Sequence, residues 1–204
     1  MTGTQAYWEQ VYRSKGETEV SWYEVSPDLS LSLLIHAGLH RGLSVIDIGG
    51  GVSRLVDALV ARGQAYVAVL DLSSAALETA RSRLGHSANV EWIVADVTRW
   101  KSSRQYDLWH DRAALHFLTD PTDQAAYVEA LNQALAPSGR AVIGTFAPDG
   151  PEKCSGLVVA RHDAQSLAAL LGDRFQLIAS VRHQHTTPWG STQQFQFSTF
   201  EKRG

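Results

Sequence analysis

Residues Ser44 to Arg54, SVIDIGGGVSR, constrain the fold of this chain more than any other stretch. Val45, Ile46 and Ile48 have strand character, enclose Asp47, and run into three consecutive glycines, Gly49, Gly50 and Gly51. A helical pattern starts at Ser53 and carries Leu55, Val56, Leu59 and Val60 on its apolar side. A strand that stops at glycines and restarts as a helix lets backbone come close to a ligand, beside helix N–H groups that have no partner within the helix. Open α/β sheets bind nucleotides at such corners. An α/β fold with a nucleotide at this corner is therefore expected.

The flanking segments fit that expectation. Strands are predicted at about 43–48, Tyr66 to Leu70 with Asp71 at its end, Asn89 to Ala95 with Asp96 at its end, Tyr106 to Asp111, and Arg140 to Phe146 after the turn Pro137-Ser138-Gly139. Helices are predicted at 53–62, capped by Gly63, from Ser73 through Leu84, and at 122–135. This strand–helix rhythm implies a parallel sheet core with helices on both faces. It then changes. After a polar loop at Asp149 to Gly156 and a helix at 163–171, two strands remain, Phe175 to His183 and Gln193 to Phe200. Their connection is too short for a helix, so they should pair antiparallel at the sheet edge. Ahead of the sheet, residues 4–15 can form a helix with Tyr7, Trp8, Val11 and Tyr12 on one aromatic face, and Pro27 opens a second helix. This arm admits two readings, a packed cover on the domain or a set of aromatics closing over a ligand.

With 204 residues the chain suits one domain, 1–204, divided into an N-terminal arm (1–40), a cofactor-binding half (43–146) and an edge hairpin with substrate-side loops (147–204). The formal charge of −3 and the absence of lysine or arginine runs argue against a nucleic-acid partner. The single cysteine, Cys154, rules out an internal disulfide and points to a reducing compartment. No secretory or membrane-spanning segment is evident, so a soluble, cytoplasmic protein is expected, as a monomer or a homodimer.

The acidic residues narrow the ligand. A dinucleotide site wants a third glycine where Arg54 stands, and the lysine of a phosphate loop is missing. Asp47, two residues before Gly49, suits an amino-bearing ligand. Asp71, 22 residues after Gly49, is placed to accept hydrogen bonds from ribose hydroxyls. Asp96 ends the next strand and admits either a contact to an adenine amine or a cap on Val97 and Thr98.

In these motifs the chain resembles the class I S-adenosylmethionine-dependent methyltransferases, as a small single-domain bacterial-type member. The resemblance rests on VIDIGGGVSR, VLDLSSAALETAR, WIVADVT and LAPSGRAVIGTF, and covers roughly residues 40–200. It implies a Rossmann-like, seven-stranded, mostly parallel sheet with a C-terminal antiparallel hairpin, and S-adenosyl-L-methionine as cofactor, left as S-adenosyl-L-homocysteine. Asp47 with Gly49, Gly50 and Gly51 would flank the methionine moiety, Asp71 and Leu72 the ribose, and Asp96 and Val97 the adenine. The opening YWEQVY and the later WYE are similar to a subgroup of small-molecule and protein-lysine methyltransferases whose N-terminal residues cover the methyl end. That role would fall to Trp8, Tyr12 and Trp22. After the fourth strand the chain reads HDRAALHFL, without the Asn/Asp-Pro-Pro-Tyr/Phe motif of many nucleobase-directed members.

Methyl transfer from a sulfonium is a direct displacement, so the protein mainly aligns the acceptor and, where needed, removes a proton. His110 or His116 could serve as base, His110 also adjoining the cofactor, and Asp111 and Arg112 could orient the acceptor. The alternative is a structural Asp111–Arg112 ion pair with His116 on a helix surface. Tyr23, His185 and Trp189 are candidates for the acceptor pocket. Cys154, His162, His183 and His185 match no compact zinc spacing, and no metal is expected. The leading reading is a methyltransferase acting on an N, O or S atom of a small molecule; a protein-lysine methyltransferase is the alternative.

Overall fold

The computed structural model describes residues 3–85 and 90–204. The arm forms α1 (Gln5–Ser14) and α2 (Asp28–His36). The sheet is then laid down as β1 (Ser44–Ile48), α3 (Leu55–Ala61), β2 (Tyr66–Asp71), α4 (Ser74–Leu84), β3 (Val90–Val94) and β4 (Tyr106–Arg112). A 3-10 turn (Leu115–Phe117), α5 (Pro121–Ala134) and β5 (Leu135–Phe146) follow. A small hairpin, β6 (Lys153–Cys154) and β7 (Leu157–Val158), precedes α6 (Ala164–Leu171), β8 (Phe175–Thr186) and β9 (Thr192–Lys202). Asn89, read from sequence as the start of the third strand, lies outside the described residues.

The seven-stranded sheet has the order β3-β2-β1-β4-β5-β9-β8. The first five strands are mutually parallel, and β9 runs antiparallel to both β5 and β8. The predicted mostly parallel sheet with a terminal antiparallel hairpin is what forms. Chain order reverses between β1 and β4, and a crevice opens at the carboxyl edge of such a switch point because the connections leave in opposite directions.

Both faces of β1 are buried, as expected of a strand covered on each side. Val45, Val67, Val69 and Leu108 pack with Leu34 of α2, Leu55, Val56 and Leu59 of α3 and Leu77 of α4. Ile46, Ile48, Ala68, Trp109 and Ile143 face the other way, onto Tyr127, Leu131 and Ala134 of α5 and Leu167 and Leu171 of α6. Alternation along each strand thus feeds two cores, one per face.

Three local expectations needed adjustment. The loop at 149–156 contains β6 and the turn to β7. Two-residue strands carry no readable period, although Ser155 and Gly156, both at positive φ, are suited to a tight hairpin. The Pro137-Ser138-Gly139 turn lies within β5, where Ser138 takes φ 60° and the pairing with β4 slips between Tyr106 and Leu108. The final strands are longer than read, leaving only 187–191 as their connection. Backbone pairing continues there through polar residues that period-2 patterning does not flag.

Beneath β4, Trp109 Nε1 donates to Tyr127 Oη (3.0 Å), and Tyr127 Oη donates to Asp111 Oδ2 (2.7 Å). Asp111 also accepts from the backbone of Ala114 (2.8 Å) and Leu115 (3.0 Å). All three side chains are fully buried. Removing the shared hydroxyl leaves Trp109 and Asp111 short of a partner, so Tyr127→Phe should cost about 2 kcal/mol, the scale of a buried polar group left unpaired. Urea unfolding would measure this loss.

Candidate functional site

A cavity of about 800 Å³, counting its open mouth, lies at the carboxyl edge of β1, β2, β3 and β4. The strand order sets its walls. Asp96 and Val97 follow β3, Asp71 and Leu72 end and follow β2, Gly49 follows β1, and Arg112, Ala113 and Ala114 end and follow β4. Trp8, Tyr12 and Trp22 from the arm, Phe117 and Leu118 from the turn after β4, and Cys154 from β6 complete it. A pocket of this size suits a cofactor-sized ligand.

The glycine corner is tight for steric reasons. Gly49 takes φ 63°, and a Cβ there would stand 2.7 Å from Ala114 Cβ. Gly51 takes φ 45°, and its Cβ would meet Tyr12 Oη at 2.8 Å and Asp71 Oδ2 at 3.0 Å. Of the expected corner residues only Gly49 lines the cavity; Asp47, Gly50 and Gly51 stand behind it, and a side chain on Gly50 would collide with Val69 and Asp47. The turn from β4 also holds Ala113 at φ 71°, a strained conformation for a residue with a Cβ. Its N–H donates to Gly144 O (2.8 Å).

Below the corner, Asp47 and His110 are register partners on β1 and β4. His110 Nδ1 lies 2.7 Å from Asp47 Oδ1, so the carboxylate holds the proton on that nitrogen. Both side chains are buried, and Asp47 Oδ2 and His110 Nε2 have no partner among the described residues. Asp71 accepts from the N–H of Ser73 (2.8 Å). Burial raises its carboxyl to about 7, the Asp47 charge adding to the effect and the backbone N–H groups of Ser73 and Gly51 opposing it. Asp96 Oδ1 accepts from Thr98 N (2.9 Å) and Oγ1 (2.7 Å), so Asp96 caps this turn and also lines the cavity.

The arm forms the roof. Trp8 packs edge-on against Phe117 (4.8 Å between ring centres) and Trp22 (5.9 Å), and Tyr12 packs on Trp22 (6.1 Å). Its fastenings are electrostatic. Glu9 accepts from Ser74 N (2.6 Å) and Oγ (2.7 Å), neutralising the first turn of α4. Glu17 meets Arg83 (2.9 Å) and Arg54 (3.1 Å), and Arg83 also grips Asp57.

The expected acceptor residues separate. Arg112 lines the cavity, with Nη2 donating to Trp22 O (2.6 Å) and Nη1 lying 3.3 Å from Glu24. Asp111 points to the opposite sheet face, into the Tyr127 network. It neither faces an acceptor nor pairs with Arg112, because successive strand residues alternate faces. His110 lies beneath the corner rather than in the cavity wall. His116 is completely buried between Phe117 and Phe146, and burial, with His162 and Arg112 nearby, pushes it down to about 3. It is neither a helix-surface residue nor an available base.

Tyr23 lines a smaller neighbouring pocket with Glu24, Arg54 and Arg112. His185 donates from Nε2 to Ser21 O (2.7 Å), tying the terminal hairpin to the arm. Trp189 is 59% exposed at the hairpin tip, so of the three it stands furthest from burial. Among the described residues no group of three or more metal-binding side chains gathers. Phe117, Leu118, Ala113, Ala114 and Cys154 were missed as lining residues. A short apolar turn or a lone cysteine has no sequence signature for facing a cavity.

Comparison with known proteins agrees with this architecture. Residues 45–139 match the family described as a methyltransferase domain. The chain is 27% identical over 117 residues to malonyl-[acyl-carrier protein] O-methyltransferase 1 of Ilyobacter polytropus, covering 57% of this chain and 42% of that enzyme. It spans less than half the length of the curated relatives it matches. The N-methyltransferase NodS of Bradyrhizobium japonicum WM9, solved with S-adenosyl-L-homocysteine, superposes with a TM-score of 0.75 at 16% identity, over 96% of this chain and 98% of that one. The 1,6-didemethyltoxoflavin-N1-methyltransferase of Burkholderia thailandensis gives a TM-score of 0.76 at 21% identity, over 98% and 87%. At such identities the superpositions speak for fold. Residues 45–139, a little under half of the chain, match the methyltransferase-domain model, and the chain as a whole shares the fold of these solved N-methyltransferases.

Proposed function

We propose that this chain transfers a methyl group from S-adenosylmethionine to an N, O or S atom of a small molecule and releases S-adenosylhomocysteine. The observation that carries this reading is the cavity itself, with two carboxylates and a glycine corner on one edge and an aromatic roof over the other. In this reading residues 1–204 act as one domain, cytoplasmic and either monomeric or dimeric, with 1–40 as its cover.

The site's own chemistry fits the cofactor. Asp71 presents a buried carboxylate with no cation beside it among the described residues, and ribose hydroxyls would supply donors. Asp96 and Val97, with Leu118, offer one polar edge and apolar walls for an adenine. The unpartnered Asp47 Oδ2 and the three glycines suit an amino-bearing methionine tail held close to the backbone. When bound, the sulfonium supplies the reactive methyl carbon. Trp8, Tyr12, Trp22 and Phe117 would exclude water from that carbon and hold the acceptor in line with it. The relatives named for O- and for N-methyl transfer support methyl transfer without choosing the acceptor atom. The roofed cavity favours a compact acceptor over a lysine side chain of a folded protein. Asp111, His116 and Trp189 have no part in this reading; His110 acts only by positioning Asp47, and Tyr23 and His185 by positioning the arm.

Calorimetry should show binding of S-adenosylmethionine and S-adenosylhomocysteine and little binding of NAD; the reverse order would overturn the assignment. Asp71→Ala should weaken S-adenosylhomocysteine binding by about 2 kcal/mol, the scale of hydrogen bonds to a charged group, without unfolding the protein.

The raised Asp71 carboxyl adds a pH dependence. Folding raises it from 3.8 to about 7, so its contribution to stability is full below about pH 4 and is lost as pH rises towards 7. Cofactor hydroxyls bind the ionised form, so affinity should move the other way. It should be about tenfold weaker at pH 6 than at its high-pH plateau, since about one carboxyl in ten is then ionised. In Asp71→Asn this titration should disappear, and a slope that survives the substitution would assign it to another group.

A further inference from the structure

Arg112 is the one cationic side chain among the described residues lining the cavity. Strand order places it at the β4 end of the carboxyl edge, with the glycine corner between it and the carboxylates of Asp71 and Asp96. It sits beside Trp22 and under the arm, where its positive charge reaches Tyr12, Cys154 and His116. A guanidinium has five N–H donors. Here Nη2 serves the Trp22 carbonyl and Nη1 faces Glu24, leaving donor capacity without a partner among the described residues.

Among the described residues the carboxylate nearest to it, Glu24, is paired with it and lines the neighbouring pocket rather than this cavity. The ionisable groups lining the cavity are Tyr12, Asp71, Asp96, Arg112 and Cys154. Burial holds the Tyr12 phenol neutral far above its ordinary range and pushes the Cys154 thiol up to about 11. His110 is committed to Asp47, and His116 is sealed among phenylalanines. Asp71 and Asp96 lie on the far side of the glycine corner, so an acceptor held at Arg112 has to bring its own free electron pair, and a wall cation opposes an acceptor that arrives positively charged. Trp8, Trp22 and Phe117 surround the same space with flat apolar rings.

Building on the methyl-transfer reading, we propose that the acceptor is a planar, self-ionising acid whose anion is held against Arg112, making Arg112 the residue that sets acceptor specificity. The acceptor's anionic atom forms the new bond to the methyl carbon. The electron pair of the breaking carbon–sulfur bond stays on sulfur, so the negative and sulfonium charges cancel and no proton moves. Glu24, 3.3 Å from Arg112 and 3.7 Å from His185, tempers the cation and keeps it oriented in the absence of an acceptor.

The test uses the full chain saturated with S-adenosylhomocysteine, titrated at pH 8 by calorimetry with 1-naphthoate and with its uncharged isostere 1-naphthamide. The carboxylate should bind at least about tenfold more tightly, as a charge-assisted contact outweighs a neutral one. Arg112→Gln should erase the preference and Arg112→Lys should keep part of it. Glu24→Gln, which removes the neighbouring carboxylate, should keep or widen it. S-adenosylhomocysteine affinity should change by less than about threefold in all three variants, a shift worth under half of the tenfold step. Equal binding of the two probes, binding of neither, or tighter binding of the amide by the unmodified protein would overturn the proposal, and none of these depends on a variant folding. A preference surviving in Arg112→Gln would also overturn it, as would a loss of S-adenosylhomocysteine affinity there, which would assign Arg112 to the cofactor. If the unmodified chain fails to bind S-adenosylhomocysteine, the methyl-transfer reading itself falls, separately from any preference between the probes.

Discussion

The close approach of two turns governs this molecule. Where the chain leaves β1 at Gly49 and where it leaves β4 at Ala114, the backbones stand so near that a Cβ on Gly49 would lie 2.7 Å from that of Ala114. This contact lies at the point where the strand order reverses, and it forms the floor of the cavity. Holding two strand ends so close requires that the strands beneath be locked in register. The Asp47–His110 pair does so across the two strands, while on the other face the Asp111–Tyr127–Trp109 network fixes β4 to α5. The first leaves two buried polar atoms without partners among the described residues. Unpaired buried groups of this kind cost stability, and proteins tend to concentrate them where a ligand later engages them.

The arm depends on that floor rather than the reverse. Around α1 its contacts with the roofed cavity are ring edges, and its polar anchors are carboxylates. Glu9 sits on the N-terminus of α4, Glu17 between Arg54 and Arg83, and Glu24 on Arg112. Partly exposed ion pairs of this type contribute little individually. The second half of the arm is tied more firmly, because Leu34, Ala37 and Leu39 are buried in the core beneath it.

Much of the architecture was legible because it rests on local patterns. Strand runs ending in glycine or aspartate at Gly49, Asp71 and Asp96 imply a parallel sheet with an acidic carboxyl edge whatever the rest of the chain does. The antiparallel terminal hairpin followed from a connection too short for a helix. The short β6–β7 hairpin was not legible, since two-residue strands have no period. Histidines were the weakest guide. Three of them, His110, His116 and His185, looked chemical in the sequence, yet His110 bridges two strands, His116 fills an aromatic core and His185 fastens the arm.

Asp111 and Arg112 show where local information ends. They are adjacent, opposite in charge and at the end of one strand, so sequence pairs them with each other or with a shared substrate. In the sheet they face opposite ways, Asp111 to Tyr127 and Arg112 to Trp22 and Glu24. The amino-acid order decides that neighbours on a strand diverge, because the pleat has a period of two. It does not decide which face holds a helix and which holds a cavity. That depends on contacts between residues 16 positions apart for Asp111 and 90 positions apart for Arg112, which exist only after the sheet has closed over both.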